Sequence, residues 1–172
     1  MEIALTIKKE DVMQEVAVTT AYTGGKMDGD ENALHRISTV DEDETHLERF
    51  WEESRADLCQ ELIGLVSFEG MVLDTILHPI EPPIATAATP AVVRAKHYEL
   101  RLDVSKSFDE ALLPSMKLSL FSYFVHSIVA KWYIYTNKTE AGGYADKAAT
   151  LLDDIHRKAV YKKKPTRPTY ND

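Results

Sequence analysis

The sequence predicts a mainly α fold: a small helical bundle around a buried central helix, with an extended β-hairpin-like arm and an extended C-terminal tail. Three observations carry this expectation. Residues 114–135 are apolar nearly all round, which marks a helix covered on every side. Residues 41–66 place Leu47, Phe50, Trp51, Ser54, Leu58, Leu62, Leu65 and Val66 at three- and four-residue steps, forming one apolar stripe. Residues 69–96 contain Pro79, Pro82, Pro83 and Pro90, with the stretch PPIATAATPA almost free of charge, which excludes a helix and makes a poor central strand.

The elements follow in order. Residues 3–7 are short and apolar, either a strand or the lead-in to a helix. Residues 8–22 predict a modest helix with Val12, Val16 and Thr19 or Thr20 on one side, and the glycine-rich stretch 23–32 predicts a loop. At the start of helix 41–66, Asp41 with Glu44 and Thr45 with Glu48 each fit a capping box, and the acidic cluster suits the positive end of the helix dipole. Its opposite face carries Glu52, Glu53, Arg55, Asp57 and Glu61. Residues 97–104 alternate strictly, Tyr98, Leu100, Leu102 and Val104 against His97, Glu99, Arg101 and Asp103, which predicts a half-buried strand. Its expected hairpin partner lies within 71–77 or in the 91–95 region.

The central helix is expected to start near Ser107 and Glu110, a candidate cap, with Pro114 in or near a first turn. One stripe of it is small or polar: Ser115, Ser119, Ser122, His126 and Ala130. That stripe would admit a second helix closely or face a partner subunit. A last helix over about 139–161 carries Tyr144, Ala148, Leu151, Leu152, Ile155 and Val160, with Gly142 and Gly143 weakening its first turn. The expected organisation is one helical domain over 1–161, with 69–104 as an inserted arm and strand, and a basic proline-containing tail over 162–172. No internal repeat is present.

The chain has 172 residues, 44% hydrophobic and 28% charged, enough for one domain with a real core. Its formal charge of −8 argues against general nucleic-acid binding. The charge is uneven. Residues 156–172 hold Arg157, Lys158, Lys162, Lys163, Lys164 and Arg167 against Asp172, a net +5 that leaves −13 on the rest. Cys59 is the only cysteine, so an internal disulfide is impossible and a reducing compartment is expected. The N-terminus shows no signal-peptide pattern. Residues 118–135 raise the question of a membrane span, but His126 and Lys131 interrupt them, and a core helix without membrane contact is the expectation.

Chemical motifs are absent from the sequence. The six histidines are scattered, with no HExxH or CxxC-type zinc spacing, and His126 is expected to be a hydrogen-bonded core residue. The TGGK stretch lacks the spacing of a phosphate loop, and DGDEN lacks the ligand series of a calcium loop. Cys59 has no helper and is expected in the core. The one enzymatic alternative uses Glu48, Glu52, Asp57 and Glu61 with Asp153 and Asp154 to clamp magnesium, as in an all-helical nucleotide pyrophosphohydrolase. A solvent-facing acidic surface is the preferred interpretation, so no catalytic residue, metal or cofactor is expected.

Three stretches carry a family resemblance: LTIKKEDV, then DEDETHLERFWEESRADL, then LLPSMKLSLFSYFVHSIVAKWYIYTNKTEA. In their order the chain resembles the small head–tail connector (adaptor) proteins of tailed bacteriophages and prophages. Those have a short N-terminal helix and an acidic loop leading into a long helix. An extended segment follows, then a buried helix that begins near a proline and ends in an aromatic cluster before an Asn-containing turn. The resemblance covers about half the chain and is a pattern of elements, not a sharp motif. The long 69–104 region, the extended loop at 23–40 and the KKKPTRPTY tail depart from it.

The resemblance implies a non-enzymatic virion structural protein, assembled in the host cytoplasm into a homo-oligomeric ring at the phage neck. The ring would contact the portal and other neck or tail proteins, and DNA would pass through its lumen without sequence-specific binding. The aromatic end, Trp132 to Tyr135, would close the base of the core. Subunit and partner contacts are expected at Ile80, Pro82, Pro83 and Ile84 in the arm, and at Lys162, Lys163, Lys164, Arg167 and Tyr170 in the tail. A cytosolic helical protein-binding module is the remaining alternative.

Overall fold

The computed structural model describes residues 1–26, 32–73 and 96–163. It is mostly helical, with a small three-stranded antiparallel sheet. The order is β1 (Glu2–Ile7), α1 (Lys9–Gly25), α2 (Ala33–Ile37), a 3-10 turn (Asp41–Asp43), α3 (Glu44–Glu61), β2 (Val66–Leu73), β3 (Lys96–Asp103), a second 3-10 turn (Glu110–Leu112), α4 (Leu113–Thr136) and α5 (Lys138–Val160).

The apolar residues 3–7 form a strand. Ile3, Leu5 and Ile7 alternate into the core, and β1 pairs antiparallel with β3 from Glu2↔Asp103 to Ile7↔Tyr98. β3 therefore lies in the middle of the sheet, in the order β1-β3-β2. Of the region 69–104, expected as an inserted arm and strand, residues 69–73 and 96–103 form strands of this sheet. The alternation of Tyr98, Leu100, Leu102 and Val104 into the core is as expected. The β2 pairing Met71↔Tyr98 to Leu73↔Lys96 falls within the expected partner region, while 91–95 lies outside the described residues.

α1 continues through Gly24 and Gly25, beyond the helix end expected at residue 22. Gly24 is required by contact: a Cβ there would stand 2.9 Å from the Leu34 Cα, so only glycine lets α1 meet α2 backbone to backbone. The acidic start of α3 differs from the expected capping boxes. Asp41–Asp43 form a 3-10 turn, and Asp43 turns its carboxylate back to accept from the Val40 N–H at 2.9 Å. α3 ends at Glu61, shorter than the stripe to Val66 suggests, because Gly64 takes φ +85° and redirects the chain into β2. The start of α4 also differs. Asp109, not Ser107, caps the turn before it, accepting from the Ala111 N–H at 3.2 Å, and Pro114 occupies the first turn of the helix.

α4 is the spine. It is long and apolar enough to cross a bilayer, but half of its most apolar window is buried within the body. Met116, Leu120, Phe124, Ile128 and Tyr133 are among its fully or nearly fully buried residues, against α1, α3, α5 and β1. Trp51 of α3 stacks on Phe124 at 4.2 Å, and Tyr98 of β3 meets both rings edge-on at 5.6 and 5.2 Å. Three elements are joined at that point.

Of the aromatic end, Tyr133 is buried, and the Trp132 Nε1–H donates to the Ile37 carbonyl at 2.7 Å, satisfying the end of α2. Ile134 and Tyr135 face out, so only half of the cluster closes the base of the core. Asn137, with φ −151° and ψ 74°, breaks the helix and starts α5.

Candidate subunit interface

Besides the break at 27–31, the described chain stops at two places. The first is the open end of the β2–β3 pair, where Leu73 and Lys96 are still in register. The second is the tail. Its last described residue, Lys163, donates its N–H to the Ser107 carbonyl at 2.9 Å and holds its ammonium 3.9 Å from Asp109. Ser107 follows β3, whose Asp103 end pairs with Glu2. The two exits thus lie at opposite ends of the sheet, separated by roughly 23 Å of strand at about 3.3 Å rise per residue. Among the expected contact residues, Lys162 and Lys163 are exposed at the tail exit. Ile80, Pro82, Pro83, Ile84, Lys164, Arg167 and Tyr170 lie outside the described residues.

Beside the first exit is an apolar-floored groove of about 770 Å³. Met13 and Ala17 of α1, Val40, Leu47 of α3, and Met71 and Leu73 of β2 form it, and Lys9, Glu10, Glu44 and Glu48 rim it. Lys9 and Glu48 form an ion pair across one side. β2 is an edge strand: among the described residues no strand pairs with its outer side. Phe68, Met71 and Leu73 along it are exposed. Its single carboxylate, Glu69, points into the body, where Arg55 of α3 grips it through two nitrogens, one of them at 2.8 Å. Burial raises the Glu69 pKa, but the Arg55 hydrogen bond and the Tyr98 hydroxyl beside it outweigh that and hold the carboxylate below its ordinary range. Burial, with Glu69 adjacent, drives the Tyr98 phenol far above its own. The outer edge therefore carries apolar side chains without a free charge to discourage pairing, a combination that sheet edges normally avoid.

The carboxylates proposed to clamp magnesium are spread out, and all but Glu61 are matched by a cation. Glu48 pairs with Lys9, Glu52 with Arg55, Asp57 with Lys131 at 2.8 Å and Asp153 with Arg157 at 3.0 Å, while Glu61 is exposed. Asp154 takes the Lys158 ammonium and the Ser119 hydroxyl. Burial acts to raise its pKa, and those two partners bring it below the usual carboxylate value. Among the described residues, no three His, Cys, Asp or Glu side chains gather where they could hold an ion.

His126 is half-buried, its Nδ1 2.7 Å from the Ser122 carbonyl, beside Tyr144. Cys59 is also only half-buried rather than in the core, and burial raises its pKa, so the thiol is not activated. The small stripe of α4 admits α5: Ser119 bonds to Asp154, and Ser115 accepts from Lys158 at 2.7 Å.

The β2 edge was missed from sequence because the helical stripe was extended through Val66. Gly64, followed by Val66, Phe68 and Val72, was the available signal. No family model, no curated protein and no solved structure matches the chain.

Proposed function

We propose that the protein is a non-enzymatic virion structural protein, a head–tail connector that forms an oligomeric ring at the phage neck below the portal. One observation carries the proposal. The body is ion-paired and built around one spine helix, and two segments of distinct composition leave it at opposite ends of its sheet. A subunit with chain segments attached at opposite ends of its sheet can reach a neighbour with one and the next layer with the other. Head-to-tail contacts of this kind close into rings. The order of elements, with an acidic-start helix, a proline-started spine and an Asn-broken return helix, supports the family resemblance. An acidic body suits a passage for DNA, since a like-charged wall does not retain it.

Free in solution, the protein is expected to be a monomer or weak oligomer. Electron microscopy of the protein in its native assembly, or co-expressed with neighbouring gene products, tests this. A closed ring at the neck is the expected result. A compact particle with no higher order, under conditions that assemble the neighbours, overturns the proposal. For the magnesium alternative, the dispersed carboxylates would have to abandon their cations to meet. Purified protein with magnesium is expected to leave nucleoside triphosphates intact.

A further inference from the structure

We infer that α5 is exchanged between copies of this chain: the corner at Asn137 opens, α4 and α5 run on as one helix, and the α5 of one copy takes its place on the spine of another. The exchange is a property of the chain itself and does not depend on the neck reading.

The corner is the first observation. α4 ends at Thr136 and α5 begins at Lys138, so Asn137 alone caps the end of one helix and the start of the next. Part of the helical ladder crosses it intact. The Asn137 N–H donates to the Tyr133 carbonyl at 2.9 Å, and the Ala141 N–H donates to the Asn137 carbonyl at 3.3 Å, both at the four-residue spacing of an α-helix. The corner interrupts the rungs from the N–H groups of Lys138, Thr139 and Glu140 to the carbonyls of Ile134, Tyr135 and Thr136. A helical φ and ψ at Asn137 restores them. It gives one helix from Leu113 to Val160, roughly 70 Å long at about 1.5 Å per residue. The sequence permits that form, since no proline lies between Pro114 and Pro165. Short hinges between long elements are where copies trade an element.

The second observation is that α5 is separable. It packs on α4, with a smaller contact to α3, while α1, α2, α3 and β1 make their own contacts with the spine. The third is that the seam can be rebuilt unchanged. Ala148, Leu152, Ile155 and Ala159 are buried in it, the Ser119 hydroxyl donates to Asp154 at 2.8 Å, and the Lys158 ammonium donates to the Ser115 hydroxyl at 2.7 Å. The α5 of a second copy makes the same contacts. What decides between the two arrangements is then the protein concentration and the preference of the corner. An opened chain uncovers the apolar side of this seam on both helices, and a second opened copy is the surface that matches it.

Cross-linking in the purified full chain tests the inference. In a Cys59→Ala background, one variant carries Ser115→Cys and another, with a different tag, carries Lys158→Cys, two positions that face each other across the seam. The two are mixed, warmed and treated with a short bis-maleimide. The expected result is a linked pair carrying both tags, with a yield that rises with protein concentration. Asn137→Ala in both partners is expected to raise the yield several-fold. A Gly-Ser-Gly-Ser insertion after Asn137 is expected to lower it several-fold, because a long loop lets α5 fold back on its own spine. If a chain carrying both cysteines links within itself, yet the mixed variants never link at any concentration or with Asn137→Ala, the exchange does not occur. Equal yields with and without the insertion would show a surface contact between intact copies and overturn the inference as well. Should Asn137→Ala not fold by circular dichroism, the comparison with the insertion decides alone.

Discussion

α3 and α5 pack on the same spine helix by different means. α3 presents large rings: Trp51 stacked on Phe124, and Phe50 against Tyr135 at 6.2 Å. Beneath them runs a polar seam, in which the Ser54 and Ser127 hydroxyls meet at 2.8 Å and the Tyr123 hydroxyl donates to the Ser54 carbonyl at 2.9 Å. α5 presents small side chains, Ala148 and Ala159, with Leu152 and Ile155 between them. Rings and buried hydroxyls fix one geometry, since each has few orientations that satisfy it. Small residues let α5 lie close along most of α4, yet leave a groove of about 550 Å³ where Ala141, Gly142 and Ala145 face Ala130 and Ile134. The side that holds the sheet is specified by shape, and the other side by proximity.

The largest test of this contrast is Trp51→Ala. It removes the ring that joins α3, α4 and β3, and a loss of about 3–5 kcal/mol in urea unfolding is expected. A loss under about 1 kcal/mol would mean that the aromatic junction does not fix α3. On the other side, Ala159→Leu forces extra methylenes into a contact only 1% exposed, with an expected cost of about 1–3 kcal/mol. Ala145→Leu, at the open groove, is expected to stay within about 0.5 kcal/mol. Equal costs at both positions would show that proximity is not what distinguishes the closed part of the α4–α5 seam from the open part.

Glu69→Gln probes the tie between α3 and the edge strand. The pair is partly exposed, at 23% and 14% of side-chain area, so a loss of about 1–2 kcal/mol at neutral pH is expected rather than the full value of a buried charge. The Glu69 pKa is held below its ordinary value in the folded state. Its contribution is therefore complete above that value and disappears as pH falls through the folded pKa. Melting temperatures of the wild type and Glu69→Gln, taken from pH 7 downward, should converge in acid. A gap that persists unchanged at low pH would mean that the carboxylate's charge is not what ties the strand.

Much of the helical frame was legible in the sequence because it depends on patterns along the chain. The α3 stripe, the all-round apolar α4 and the alternation of β3 are each set by local periodicity. The sheet was less legible. β1 and β3 are separated by most of the body, and nothing in IALTI specifies a partner some hundred residues away. The end of α3 was masked by Leu65 and Val66, which keep helical spacing although Gly64 has already turned the chain. The candidate interface was legible as composition but not as place. The prolines of the arm and the lysines of the tail are visible in the sequence, but the groove assembles side chains from α1, α3 and β2 that only the fold brings together.

The smallest expected effect has the opposite sign. α5 carries Gly142 and Gly143 within its second turn, whereas α3 contains no glycine. Both are exposed, neither has a positive φ, and a Cβ at either meets nothing within 4 Å. Glycine there loses more backbone freedom on folding than alanine would and gains no contact for it. Gly142→Ala and Gly143→Ala should therefore each stabilise the protein by about 0.4–1 kcal/mol, mainly by restricting the unfolded chain. For a chain of this size that is a rise of about 1–4 °C in Tm, readable by calorimetry. The start of α5 is held from outside instead, by Tyr144 edge-on to Tyr133 at 5.2 Å, so its order depends on the spine rather than on its own propensity. Tyr144→Ala should therefore speed hydrogen exchange over residues 138–144, and do so less in the Gly142→Ala, Gly143→Ala background. A fall in Tm for Gly142→Ala would place the α5 backbone closer to Ala130 and Ile134 than the open groove allows, and the two sides of α4 would then be packed alike.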